Sequence, residues 1–178
     1  MENLKVGNME IAIPNLLLMI GGLLMIIMVF LAWVKVTVDG GWFGSDSEVV
    51  SGLDLILGKH DGDTIEDLSF IAKMPLLMLL TGIAALVLGA LPMFGVDNNG
   101  IKIAGAVVAI LAVIFGLLFL IMGASENLFT GDAKDAYKEA IKAGWVKMSL
   151  QFGSIVGFIA AIIAAVGGVL NVLPVLKK

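Results

Sequence analysis

The sequence predicts an all-α membrane protein: a four-transmembrane-helix bundle with a small β-sheet in its first outer loop. Three observations predict it. Four stretches, Ile13–Val34, Met74–Phe94, Ile103–Met122 and Leu150–Leu173, contain no Asp, Glu, Lys, Arg or His. Each is 20 to 24 residues long, and about 20 residues cross a bilayer core as a helix. All four prolines stand at or near the boundaries of these stretches. Finally, Val34-Lys35-Val36-Thr37-Val38 alternates β-branched apolar residues with polar ones, the period of a strand.

The prolines mark starts and stops. Pro14 and Pro75 fall at helix starts, where a missing N–H costs nothing. Pro92 and Pro174 fall near helix ends, where they stop propagation. The first apolar stretch is too long for a signal-peptide core and lacks a small-x-small cleavage site, so it reads as a retained span. With four spans the 178 residues form a single membrane domain.

The connections are unequal. The outer loops cover about 35–72 and 123–149, and a polar turn, Val96-Asp97-Asn98-Asn99-Gly100, joins the second and third spans. An even span count places both termini on the face of that turn. Lys5, Lys102, Lys177 and Lys178 lie on this face. Lys35, Lys59, Lys73, Lys134, Lys138, Lys142 and Lys147 lie on the other, spread over many more residues. Raw count and density therefore point in opposite directions. The termini are expected in the cytoplasm, which makes the first loop extracellular in a multi-pass protein of the cell membrane.

Within the first loop, Val34–Val38 reads as a strand, Asp39-Gly40-Gly41 as a turn, and Glu48-Val49-Val50 as a second strand. Asp54–Leu57 and Ile65–Leu68 read as short mixed, helix-leaning segments. In the second outer loop Ala133, Ala136, Tyr137, Ala140, Ile141 and Trp145 share one helical side, with Lys134, Asp135, Lys138, Glu139 and Lys142 opposite. Asp132 is the expected N-cap. The pattern predicts an amphipathic interfacial helix or an outward extension of the fourth span. Trp33 and Trp145 are expected at span ends as interfacial anchors.

Composition narrows the function. The chain is 60% hydrophobic and 15% charged, whereas soluble domains average roughly 45–50% and about 25%. All eleven basic residues are Lys, which removes the bidentate guanidinium reader of phosphate and carboxylate. A net charge of −4 without a basic patch argues against nucleic acid as a partner. The absence of Cys excludes disulfides, thiol catalysis and Cys-ligated metals. Ionisable residues inside spans usually mark transport, and here the interior offers only Asn15, Thr81, Gln151, Ser154 and Asn171. No catalytic residue, cofactor or metal ligand is assigned. His60-Asp61-Gly62-Asp63-Thr64-Ile65-Glu66-Asp67 gathers oxygens that would suit a hard cation, but it lacks the pattern of a calcium loop. It reads as a solvated acidic loop.

Trp33 follows the first span, and nineteen residues later comes Ser51-Gly52-Leu53-Asp54. With a long first loop, a short second turn and a medium third loop, this order resembles the claudin and peripheral-myelin-protein superfamily. In that family a Trp at the base of the first strand is followed by a Gly-Leu-Trp motif. Trp33, Gly52 and Leu53 match; Asp54 stands in place of the second Trp, and the family's pair of loop cysteines is absent. The resemblance implies a left-handed four-helix bundle with a small extracellular sheet. The arrangement is also similar to four-span proteins of bacteria and archaea.

Two further sets of residues stand out. Gly153, Gly157, Ala161, Ala164 and Gly168 line one side of the fourth span, and small residues let helix backbones approach closely in lipid. They serve packing inside the chain's own bundle or contact with another subunit. Trp42 and Phe43 lie in a Gly-rich polar setting and are candidate loop contacts. The expected role is non-catalytic: scaffolding or assembly in the lipid bilayer, as a homo-oligomer or in a larger membrane complex, through the Gly-rich helix faces and the first loop. The alternatives are an oligomeric pore or carrier for an uncharged or lipid-like substrate, or an accessory subunit of a membrane enzyme.

Overall fold

A computed structural model describes residues 3–6, 9–41 and 44–177. The protein is mostly helical, with a small three-stranded sheet. Its elements run β1 (Asn3–Val6), β2 (Met9–Ala12), α1 (Ile13–Met28), β3 (Ala32–Asp39), β4 (Ser45–Ser51), α2 (Gly52–Leu57), β5 (Lys59–His60), β6 (Asp63–Thr64), α3 (Met74–Ala90), α4 (Asn99–Met122), α5 (Gly131–Lys142), β7 (Val146–Leu150) and α6 (Phe152–Leu176). Three helical segments, Phe70–Phe94, Asn99–Met122 and Phe152–Leu176, are long and apolar enough to cross a membrane. The helix over the first apolar stretch is shorter, at 16 residues.

The chain forms two compact units. The first comprises Met1–Ile27, Met78–Ile114 and Gly157–Lys178. Its interior holds Leu18, Met25, Met78, Ala85, Ala109, Ala161 and Ala164. Backbones here touch directly. A Cβ on Gly21 would stand 2.5 Å from the Ala164 nitrogen, and one on Gly22 would stand 2.6 Å from the Gly82 carbonyl oxygen. Adjacent residues on a helix point about 100° apart, so this Gly-Gly pair lets α1 meet two neighbours at once. Asn171 Nδ2 donates to Asn15 Oδ1 at 2.6 Å, and both side chains are buried.

The second unit comprises Met28–Leu77 and Phe115–Val156. Its sheet has the order β4-β3-β7 with both pairings antiparallel. Trp33 is buried at the base of β3 and meets Phe119 edge to face at 4.8 Å. Leu55, Met74 and Leu128 complete this interior.

Several sequence expectations change. The helix over Ile13–Val34 ends at Met28, and Ala32–Val34 belong to β3. The cause is hydrogen bonding: the Met28 carbonyl accepts from Leu31 N–H and from the Trp33 indole, and β3 then pairs on both edges. The fourth stretch, read as Leu150–Leu173, becomes β7 through Leu150 and a helix from Phe152, which continues past Pro174 to Leu176. The amphipathic helix forms at Gly131–Lys142, but its N-cap is Thr130 and not Asp132, which lies in the first turn. It is not an extension of the fourth span, because β7 intervenes and pairs with β3. Trp145 therefore sits at the far end of β7 from α6, its carbonyl accepting from Asp39 N–H, and it is 67% exposed. Residues 66–67 form a turn and not a helix.

Candidate functional site

Trp33, Gly52 and Leu53 converge where the chain leaves α1. A helix end leaves carbonyls without partners, and the next helix start leaves N–H groups without partners. Here each set satisfies the other. Gly52 N–H donates to the Leu31 carbonyl at 3.2 Å, and Leu53 N–H donates to the Val29 carbonyl at 2.9 Å. The Trp33 indole N–H donates to the Met28 carbonyl at 2.8 Å. Gly52 has no room for a side chain: a Cβ would lie 2.7 Å from the Val29 oxygen and 2.8 Å from the indole nitrogen.

Asp54 completes a capping box. Ser51 Oγ accepts from Asp54 N–H, while Asp54 Oδ2 accepts from Ser51 N–H and hydroxyl at 2.9 and 2.8 Å. Burial pushes the Asp54 carboxyl up, but the bonds from the Ser51 backbone, the Ser51 hydroxyl and His60 outweigh it and hold the group below its ordinary value. At the other end of α2, Lys73 Nζ donates to the Leu55 and Ile56 carbonyls.

His60 Nδ1 lies 3.3 Å from Asp54 Oδ2, and Nε2 lies 3.9 Å from Asp61 Oδ2. It ends β5, which returns as β6 through Asp61-Gly62. Both turn residues have positive φ, 48° and 95°, as a two-residue type I′ hairpin demands. This hairpin and the sheet wall a cleft of about 370 Å³ rimmed by Glu48, Asp61, Asp63 and Glu66, with His60, Phe129 and Tyr137 in its lining. A smaller cavity of about 110 Å³ shares Glu48, His60, Ile65, Phe129 and Tyr137 and is otherwise lined by Val36, Val50, Leu55, Leu68 and Leu128.

The sheet register explains the lining. Val36 is the partner of Glu48, and Val34 of Val50. Side chains at paired positions share a face, so these point to one side, while Lys35, Thr37, Ser47 and Val49 point to the other. Phe129 is fixed because the segments 66–69 and 127–130 are sewn together: Thr130 N–H donates to the Asp67 carbonyl, Ser69 N–H to the Leu128 carbonyl, and Ser69 Oγ to the Asn127 carbonyl. Tyr137 of α5 then stacks on Phe129 with centroids 4.1 Å apart.

The acidic loop thus supplies a rim. Among the described residues, no three of His, Asp or Glu converge to hold a metal ion. The small residues of α6 face inward. Gly153, Gly157, Ala161, Ala164 and Gly168 are all buried. A Cβ on Gly153 would meet the Ala32 oxygen at 2.6 Å, and one on Gly168 would meet Ala106 Cα at 2.8 Å. Trp42 and Phe43 lie outside the described residues.

Sequence reasoning missed Glu48, Phe129 and Tyr137 as cleft residues. Glu48 carried a signal, a charge beside Val49-Val50 in a strand. Phe129 carried none, because its place depends on pairing between residues 63 positions apart in sequence. Comparison with known proteins yields no matching family model and no matching curated protein.

Proposed function

We propose that the chain is a non-catalytic, four-span, claudin-like protein of the cell membrane whose working part is the unit of residues 28–77 and 115–156. It would act as a recognition surface between copies of the chain or within a larger complex. The observation that carries this reading is that the small-residue helix faces are already occupied. Gly21, Gly22, Gly153, Gly167 and Gly168 each lie against atoms of this same chain at distances no Cβ would tolerate. What they could have offered another subunit is spent within the fold, and the cleft remains open.

A fourth span is supported by what surrounds α1. Sixteen residues make a helix of about 24 Å, against a hydrocarbon core of about 30 Å. Apolar residues flank it at Ile11–Ala12 and Val29–Leu31. The claudin likeness is supported by the meeting of Trp33, Gly52 and Leu53. A non-catalytic role is supported by the polar network: Asp54 orients His60 as a base would be oriented, but the Ser51 hydroxyl is engaged by the same carboxylate oxygen.

The chain has no Cys, so single cysteines report topology cleanly. With cytoplasmic termini, Ser47→Cys and Asp135→Cys should label from outside intact cells with an impermeant maleimide. Lys5→Cys, Asn98→Cys and Lys177→Cys should label only after permeabilisation. Labelling of Lys5→Cys together with Ser47→Cys would reduce the span count to three. For function, the mass of the assembly in lipid nanodiscs should fall with Glu48→Lys plus Tyr137→Ala and stay unchanged with the lipid-facing Ile162→Trp. The reverse result refutes recognition through this unit. Flux of glycerol through reconstituted liposomes would favour a pore or carrier instead.

A further inference from the structure

The three-stranded sheet has two outer edges, β4 and β7, and the chain treats them differently. In an antiparallel ladder, alternate residues turn their N–H and C=O toward the partner strand and away from it. Two bonds that flank the β3–β7 ladder set its phase. Asp39 N–H donates to the Trp145 carbonyl, and Gln151 N–H donates to the Trp33 carbonyl. The register between them is continuous. Lys147 and Ser149 therefore bond to β3, and the backbone groups of Val146, Met148 and Leu150 face outward. On β4 the outward residues are then Ser45, Ser47, Val49 and Ser51.

The β4 edge is closed from within. Ser47 N–H donates to Asp46 Oδ1 at 2.8 Å and Ser51 N–H to Asp54 Oδ2 at 2.9 Å, so no two successive outward donors are free. Edge strands are commonly blunted in this sense to prevent pairing. The β7 edge is not. Among the described residues, the outward N–H and carbonyl groups of Val146, Met148 and Leu150 have no hydrogen-bond partner. Val146 is paired with Val38, Met148 with Val36 and Leu150 with Val34, so these side chains share the inner face. There an apolar cavity of about 200 Å³ adjoins Val146, lined also by Val38, Ala136, Tyr137 and Ala140. Lys147 and Ser149 point to the opposite face.

We infer that β7 pairs with β7 of a second copy of the chain, antiparallel and centred on Met148, which joins the two sheets into one. The strand is self-complementary in this register. Val146 lies opposite the partner's Leu150, and Met148 opposite the partner's Met148. The result is three hydrogen-bonded pairs, each exchanging two bonds. Their side chains form one apolar row, with the partner's Leu150 beside the cavity at Val146. On the other face Lys147 lies opposite the partner's Ser149. Sliding two residues one way sets Lys147 against the partner's Lys147, where like charges repel. Sliding two residues the other way loses one of the three bonded pairs. A two-fold axis uses up both free edges, so the pairing closes at two copies. The inference rests on the recognition reading above and names its partner.

The chain has no Cys, so single cysteines map the register. Full-length Lys147→Cys and Ser149→Cys chains, the second with a size tag, are mixed in detergent and oxidised. Opposed residues of a non-hydrogen-bonded pair stand about 4.5 Å apart at Cα, within reach of a disulfide. Each cysteine lies more than about 7 Å from its own counterpart in the partner, beyond that reach. The mixed disulfide should therefore exceed either self-disulfide at least about fivefold. Met148→Pro removes only an outward N–H, which an edge strand tolerates. It should abolish the mixed disulfide and reduce the light-scattering mass to that of one chain, with circular dichroism unchanged. If that variant unfolds, the disulfide pattern decides alone. No mixed disulfide, self-disulfides as strong as the mixed one, or a folded Met148→Pro chain that keeps the parent mass overturns the inference. If it falls while Glu48→Lys plus Tyr137→Ala still dissolves the assembly in nanodiscs, the recognition reading stands with a different contact. If neither has an effect, both fall.

Discussion

Gly52→Ala tests the junction between α1 and α2 most directly. The new Cβ would lie 2.7 Å from the Val29 oxygen, 2.8 Å from the Trp33 indole nitrogen and 3.0 Å from Trp33 Cδ1. Relief in one direction closes the other, because these atoms flank it together. Val29 oxygen already accepts from Leu53 N–H at 2.9 Å, and the indole N–H is held by the Met28 carbonyl at 2.8 Å. Moving either partner to an ordinary contact stretches one of these bonds, worth about 1 kcal/mol each. Overpacking adds about 1–3 kcal/mol. Against this, Ala in place of Gly at a helix start returns at most about 1 kcal/mol. The net expectation is a loss of about 1–4 kcal/mol, or a drop in Tm of about 2–16 °C for a chain of this size. Thermal unfolding in detergent, followed by tryptophan fluorescence, measures it. Since Trp33 is the partner in the clash, Gly52→Ala should cost less in a Trp33→Phe background than in the wild type. A Gly52→Ala protein as stable as the parent, or strict additivity in the cycle, would refute the steric account.

Other expectations follow from the same geometry. Asp54→Ala removes the carboxylate half of the capping box, keeps the backbone N–H bond to Ser51 Oγ, and should destabilise by about 1 kcal/mol in the same unfolding assay. Asp54's folded-state carboxyl lies below its ordinary value of 3.8, so its contribution is complete above that value and is lost as the pH falls through the folded value. The acid limb of a stability-versus-pH curve below about pH 4 should therefore be shallower in Asp54→Ala. Gly21→Val places atoms where Ala160 and Ala164 backbones already stand and should cost about 1–3 kcal/mol in SDS-titrated unfolding. Asn171→Leu strips the buried Asn15 of its partner and should cost about 1–3 kcal/mol, while Asn15→Leu combined with Asn171→Leu should recover most of that loss.

What the sequence could say follows from the range of the forces involved. Charge-free stretches report on solvent along the chain, and three of them correspond to helices long and apolar enough to cross a membrane. Alternation at residues 34–38 reports on the two faces of a strand, and β3 forms there. The Ala136–Tyr137–Ala140 periodicity likewise marks α5. β7 was hidden for a physical reason. Val146-Lys147-Met148-Ser149-Leu150 alternates as a strand should, but it abuts a long apolar helix, and hydropathy alone merges the two. Only pairing with β3 separates them. The end of α1 was obscured in the same way, because Trp33 and Val34 are apolar whether they lie in lipid or in a buried strand.

That ambiguity bears on how the candidate site should be read. Trp33, Gly52 and Leu53 were singled out by spacing, and their contacts give them one shared role. They supply donors to carbonyls that α1 leaves open, and they permit the close approach that makes this possible. Asp54 belongs to the same junction, since it fixes the start of α2 and holds His60 in the lining of the cleft. The junction is thus connected to the cleft through one carboxylate. Perturbing Asp54 should therefore disturb both the stability of the unit and the mass of its assembly in nanodiscs, whereas Gly52→Ala in molecules that remain folded should lower stability and leave that mass largely intact. Loss of both properties in both variants would mean that the cleft has no structure of its own and simply reports the folding of the whole unit.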